Sequence, residues 1–67
     1  MYEKYVAIRD ERGMTDYEVS KISGVSRSTF ADWKSGRSEP KLRKLLLVAK
    51  ALDVPITELI ADEAVGE

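Results

Sequence analysis

The side chains with chemistry to offer are the bases between positions 21 and 50. Lys21, Arg27, Lys34, Arg37, Lys41, Arg43, Lys44 and Lys50 stand there against only Asp32 and Glu39, a local excess of +6 in a chain of formal net charge -1. All eleven Lys and Arg fall within residues 1–50, and the last seventeen residues hold five acids and no base. Such segregation makes a positive surface suited to phosphate, and charge alone also allows a merely solvated face. Other chemistry is poorly supplied. With Cys 0 and His 0, disulfides, thiolate zinc sites, cysteine nucleophiles and histidine bases are excluded, leaving carboxylates for a metal and Asp, Glu, Lys or Tyr for proton transfer. No cluster of these, no nucleophile–base pair and no phosphate loop is visible. The chain is therefore read as no enzyme, with no cofactor, no metal and no small-molecule site.

Short helices must carry these bases. At 67 residues the chain fits one domain, taken as residues 1–67. A domain this small buries only about 60% of its unfolded surface, so local helical contacts are the expected solution. The longest apolar run, residues 45–49, is far below the roughly 20 needed for a membrane span and the 7 to 15 of a signal peptide. A soluble, cytoplasmic protein is expected, with no membrane partner.

Breakers divide the chain into five segments of helical period, with no strand signal. The first runs from about Tyr2 to Arg12, with Tyr5 and Ile8 as an i, i+3 pair. Gly13 closes it and Met14 turns into the core. Thr15 with Glu18 reads as a capping box opening a helix at Asp16, which carries Val19 and Ile22 on one side and stops at Gly24. Ser26 caps the next segment, where Phe30 and Trp33 recur before Gly36. Pro40 suits the first turn of a fourth helix whose stripe is Leu42, Leu45, Leu46, Ala49 and Leu52. Pro55 separates a short last helix bearing Ile56, Leu59 and Ile60, and residues 62–67 are expected to fray.

The spacing within Asp16 to Trp33 is the informative feature. Two short helices meet near a right angle if the turn tolerates positive φ, as Gly24 does, and if the contact between them is small, as Ser20 allows. Val19, Val25, Phe30 and Trp33 then converge underneath. Arg27, Ser28 and Thr29, on the first turn of the second helix, are left free to enter a major groove.

On Ile8-Arg9, Arg12-Gly13-Met14-Thr15, the run Gly24-Val25-Ser26-Arg27-Ser28-Thr29-Phe30, Trp33, Gly36, Pro40 and Leu52-Asp53-Val54, the sequence resembles the lambda-repressor-like family. These are the Cro/C1-type (XRE) helix-turn-helix regulators of phages and bacteria. The resemblance covers nearly the whole chain. It implies an all-α, compact five-helix domain with the helix-turn-helix at about 15–36. It further implies binding of double-stranded DNA by a homodimer on a palindromic operator, as a transcriptional repressor or regulator. By the same resemblance Arg27, Ser28 and Thr29 are the base-reading residues, with Ala31 or Asp32 at the edge of reach, while Ser26, Lys34, Ser35, Arg37 and Lys41 contact the DNA backbone and Arg43 is an outer contact. Three positions depart from the family pattern. Asp16 stands where Gln is frequent, Lys34 stands where many members have a Glu paired with the residue matching Arg9, and the acidic C-terminal end offers no basic arm.

Blander readings stand beside these. The apolar residues at helical spacing are core, and Tyr2, Tyr5 and Tyr17 are half-buried packing residues in preference to base-stacking ones. Leu59, Ile60 and Val65 are candidates for a dimer contact and equally for closing the core. Asp32 either repels phosphate or constrains an Arg. The alternative function is a protein-interaction module, such as an antitoxin or antirepressor, on the same fold.

Overall fold

Thr15 and Ser26 cap the second and third helices with their side chains, and a left-handed residue, Gly13, Gly24, Gly36 or Asp53, follows each of the first four. The structure, a computed structural model, describes the backbone of residues 1–65 and the side chains through Ile60. It consists of α1 (Tyr2–Glu11), α2 (Asp16–Ser23), α3 (Arg27–Ser35), α4 (Leu42–Ala51) and α5 (Ile56–Val65), with no strand among the described residues. The all-α, five-helix expectation holds. No helix of the described residues is long and apolar enough to cross a membrane.

α4 is the central element. It packs against α2 on one side and α5 on the other, while α1 closes on α5 and α2 meets α3 at the corner. Between them lies one apolar core built from Tyr5, Val19, Phe30, Trp33, Val48, Leu52 and Leu59, with smaller residues filling in. Its upper part is aromatic. The Tyr5 ring stacks on Phe30 at 5.2 Å and lies 5.2 Å from Trp33, and Tyr2 meets Trp33 edge-on at 5.4 Å. These are favourable offset and edge geometries, so α1 is bonded to the underside of α3 through rings.

Several expectations give way here. Tyr5 is fully buried at 0% exposure, because α1 tucks beneath α3 and offers it a place between Phe30 and Trp33. Ile22 does not share the burial of Val19; it is 63% exposed, in an open groove that it lines with Leu47 and Ala51 of α4. In α4 the buried stripe is Leu45, Val48, Ala49 and Leu52, whereas Leu42 and Leu46 are 62% and 48% exposed. Residues 45–49 are all apolar, so two neighbouring stripes fit the helical period, and packing against α2 and α5 selects between them. Pro40 precedes the first turn of α4 instead of lying in it: Lys41 is the N-cap and Pro40 is buried just before it. Leu59 is fully buried and so closes the core, and Ile60 packs against that core half-buried. The suggested contact at Val65 and the fraying expected over 62–67 lie outside the described side chains.

Candidate nucleic-acid interface

The corner is built from four polar groups and one glycine. Thr15 Oγ1 accepts from the Glu18 N–H at 3.1 Å and Glu18 Oε1 accepts from the Thr15 N–H at 2.9 Å, the reciprocal pair that fixes the start of α2. At the other end Gly24 takes φ 81, a left-handed conformation that a side chain would strain, and its N–H returns to the Ser20 carbonyl at 2.8 Å. Ser20 does more than keep the contact small. Its hydroxyl donates to the Val25 carbonyl, and the Ser23 hydroxyl accepts from the Val25 N–H at 3.1 Å. Both backbone groups of the turn residue are thus satisfied by α2, and the angle at which α3 leaves is fixed by bonds as well as by packing.

α3 begins under Ser26. The Ser26 hydroxyl accepts from the Thr29 N–H at 3.3 Å and lies 3.0 Å from the Ser28 hydroxyl and 2.9 Å from that of Thr29. Three hydroxyls therefore surround the positive end of the helix. Arg27 and Ser28 are exposed on its first turn, while Phe30 and Trp33 hold the opposite face in the core. The anticipated base-reading residues are not all on one side of α3. Arg27, Ser28 and Lys34 line a notch together with Asp16 and Ala31. Thr29 faces a second groove with Asp32, Pro40, Lys41 and Arg43. Ser35 and Arg37 sit at the far end. Ser35 Oγ donates to the Asp32 carbonyl at 3.1 Å and accepts from the Arg37 N–H at 3.3 Å, and Arg37 Nε lies 3.8 Å from Asp32 Oδ1. Asp32 therefore constrains an Arg.

At the notch lies Asp16, which sequence reasoning singled out as the start of a helix and as a departure from the family pattern, and not as a partner of α1. Asp16 Oδ1 accepts from the Tyr5 hydroxyl at 2.6 Å and from Arg9 at 2.8 Å, and Arg9 also pairs with Asp10 at 2.8 Å. Burial by itself would raise the Asp16 carboxyl. The hydrogen bonds from Tyr5 and Arg9 and the charges of Arg9 and Lys34 outweigh it and hold the group below the usual carboxylate range. Burial first, then the bond to Asp16, pushes the Tyr5 hydroxyl up. Hydrogen bonds to Asp10 and Asp16 raise Arg9. The i, i+4 spacing of Tyr5 and Arg9 places them on one face of α1, but nothing in the spacing signals that Asp16 joins them, because that contact forms across the turn between α1 and α2.

This arrangement, a capped support helix, a bonded turn and a second helix with its first turn exposed, has its counterpart in known sequences. A match to the helix-turn-helix family covers residues 7–59. The chain belongs to the Cro/C1-type helix-turn-helix family. This helix-turn-helix chain is 36% identical over 82% of its length to the cryptic phage CTXphi transcriptional repressor RstR of Vibrio cholerae, covering 50% of that protein. It is 33% identical over 91% of its length to the immunity repressor protein of Bacillus phage phi105, covering 42% of it. It is 30% identical over the same 91% to the HTH-type transcriptional activator BcrR of Enterococcus faecalis, covering 30% of it. The chain thus spans half or less of the length of these relatives. No solved structure matches it. Among the described residues no group of His, Cys, Asp and Glu is arranged to hold a metal ion.

Proposed function

We propose that this helix-turn-helix chain binds double-stranded DNA sequence-specifically as the DNA-reading part of a transcriptional regulator, with the first turn of α3 in the major groove. One observation carries the reading: Arg27 and Ser28 project from the start of a helix whose other face is locked into the core and whose departure angle is fixed by the Ser20–Val25 bond. A rigid support is what groove reading requires, because base contacts demand a defined approach. Arg27 would meet the two major-groove acceptors of guanine, and Ser26, Lys34, Ser35, Arg37 and Lys41 would lie against phosphates. The relatives' names support a regulator, two of them being repressors and one an activator. Repression is the form we favour.

A homodimer on a palindromic operator, with half-sites about one helical turn apart, belongs to the same proposal, as does a cytoplasmic location, where operator DNA lies. Selection of bound duplex from a random pool tests the DNA reading and the dimer together. The expected result is one recovered motif, repeated with dyad symmetry. Binding of that duplex at two salt concentrations should weaken steeply as salt rises, in proportion to the number of phosphates neutralised. Absence of salt-dependent binding even at low ionic strength would overturn the DNA reading in favour of a protein-interaction module.

A further inference from the structure

Tyr17, the second residue of α2, is 54% exposed, a large ring left beside the first turn of α3. It carries two cations. The Arg27 guanidinium carbon lies 5.6 Å from the ring centroid and the Lys21 ammonium 5.8 Å from it. Lys21 reaches the ring from one turn along the same helix, and Arg27 reaches it from across the Gly24 turn. Among the described residues neither cation makes an ion pair or a side-chain hydrogen bond, and the ring is the partner that the structure gives each of them.

A guanidinium that meets a ring through its flat face is attracted by the ring's negative face. Its edge, which carries the N–H fork, stays free, and that edge is what pairs with the two acceptors of guanine. An exposed Arg at the start of a helix otherwise samples many rotamers, and ordering it on DNA opposes binding. A ring that narrows those rotamers beforehand removes part of that opposition.

We propose that Tyr17 is a specificity-positioning residue, whose ring in α2 aligns the Arg27 guanidinium for the base it reads from α3. The inference rests on the assignment of Arg27 to base reading. It makes the support helix a determinant of sequence preference through an aromatic face and not through a hydroxyl.

A double-mutant cycle on the full chain tests it, using the best duplex recovered from a random pool and the same duplex with each base pair changed in turn. Tyr17→Phe should bind like wild type. Tyr17→Leu, at an exposed position where folding can be verified by thermal melting, should lose about two- to fivefold in affinity. That loss should vanish when Arg27→Ala is already present. Equal losses for Tyr17→Phe and Tyr17→Leu, an undiminished loss in the Arg27→Ala background, or no loss for Tyr17→Leu would each overturn the proposal. Base reading fails separately. If Arg27→Ala weakens every duplex alike, Arg27 reads no base and the specificity role of Tyr17 falls with it, whereas loss of the Tyr17–Arg27 coupling while Arg27→Ala still relaxes one base pair overturns the positioning alone.

Discussion

Arg9 of α1 donates to Asp16 of α2 at 2.8 Å, and this one ion pair accounts for two departures from the family pattern together. Where many relatives of this type would match Arg9 with an acid at the position of Lys34, the acid here stands at 16 and the base at 34. Arg9 keeps a carboxylate partner, and the notch keeps a balance of charge, because Lys34 also acts favourably on Asp16. Asp16 lies in the first turn of α2, where the helix dipole also favours a negative group.

The pair should be visible in the pH dependence of stability. Asp16 is depressed in the folded state, so the unfolded chain takes up its proton first as pH falls. The stabilisation is complete above the unfolded value of about 3.9 and is lost as pH drops through the lower folded value. Asp16→Asn should remove that part of the acid limb. With the side chain 39% exposed, solvent screening reduces the pair to about 1 kcal/mol at neutral pH. Urea midpoints measured from pH 7 downward check this, and the difference between wild type and variant should begin to shrink as pH falls below about 3.9.

Tyr5 separates ring from hydroxyl. Tyr5→Phe keeps the stack on Phe30 and loses the bond to Asp16, a change of about 1 kcal/mol. Tyr5→Ala removes a fully buried ring and should destabilise by about 3 to 5 kcal/mol, enough to unfold much of a small domain. Denaturant unfolding of the two variants distinguishes the contributions.

Asp53 offers a stabilising change. It is the one non-glycine at positive φ among the described residues, at 60°. Its carbonyl, and not its side chain, accepts from Arg12 at 3.4 Å, so a glycine would keep that contact. The left-handed conformation costs an L residue about 1 to 2 kcal/mol, and the added freedom of the unfolded glycine offsets part of it. Asp53→Gly should gain about 0.5 to 1 kcal/mol and raise Tm by roughly 2 to 8 °C.

On DNA the two kinds of contact should part company. Arg27→Ala is expected to relax preference at one base pair, with a discrimination loss of about 1 to 3 kcal/mol. Lys34→Ala should weaken all duplexes alike and lower the salt slope by about one. Competition binding with selected and scrambled duplexes over a salt series measures both.

Much of the corner was legible in the sequence. Thr15 with Glu18, Gly24, Ser26 and Gly36 act within one turn of themselves, so their types and spacing fix their roles, and the structure finds each in its expected place. The five helices follow from the same local chemistry. Which face of a helix is buried did not follow where the pattern was degenerate: Leu42, Leu46 and Ile22 fit a helical stripe and are exposed, because the neighbouring helix covers a different strip of surface. The Tyr5–Arg9–Asp16 cluster and the ring of Tyr17 against Arg27 are decided by tertiary structure alone. Tyr5 and Arg9 share a face of α1 at i, i+4, but Asp16 joins them, and Arg27 joins Tyr17, across turns whose angle depends on the packed core, so the sequence determined the helices and their caps while the packing determined which charges meet.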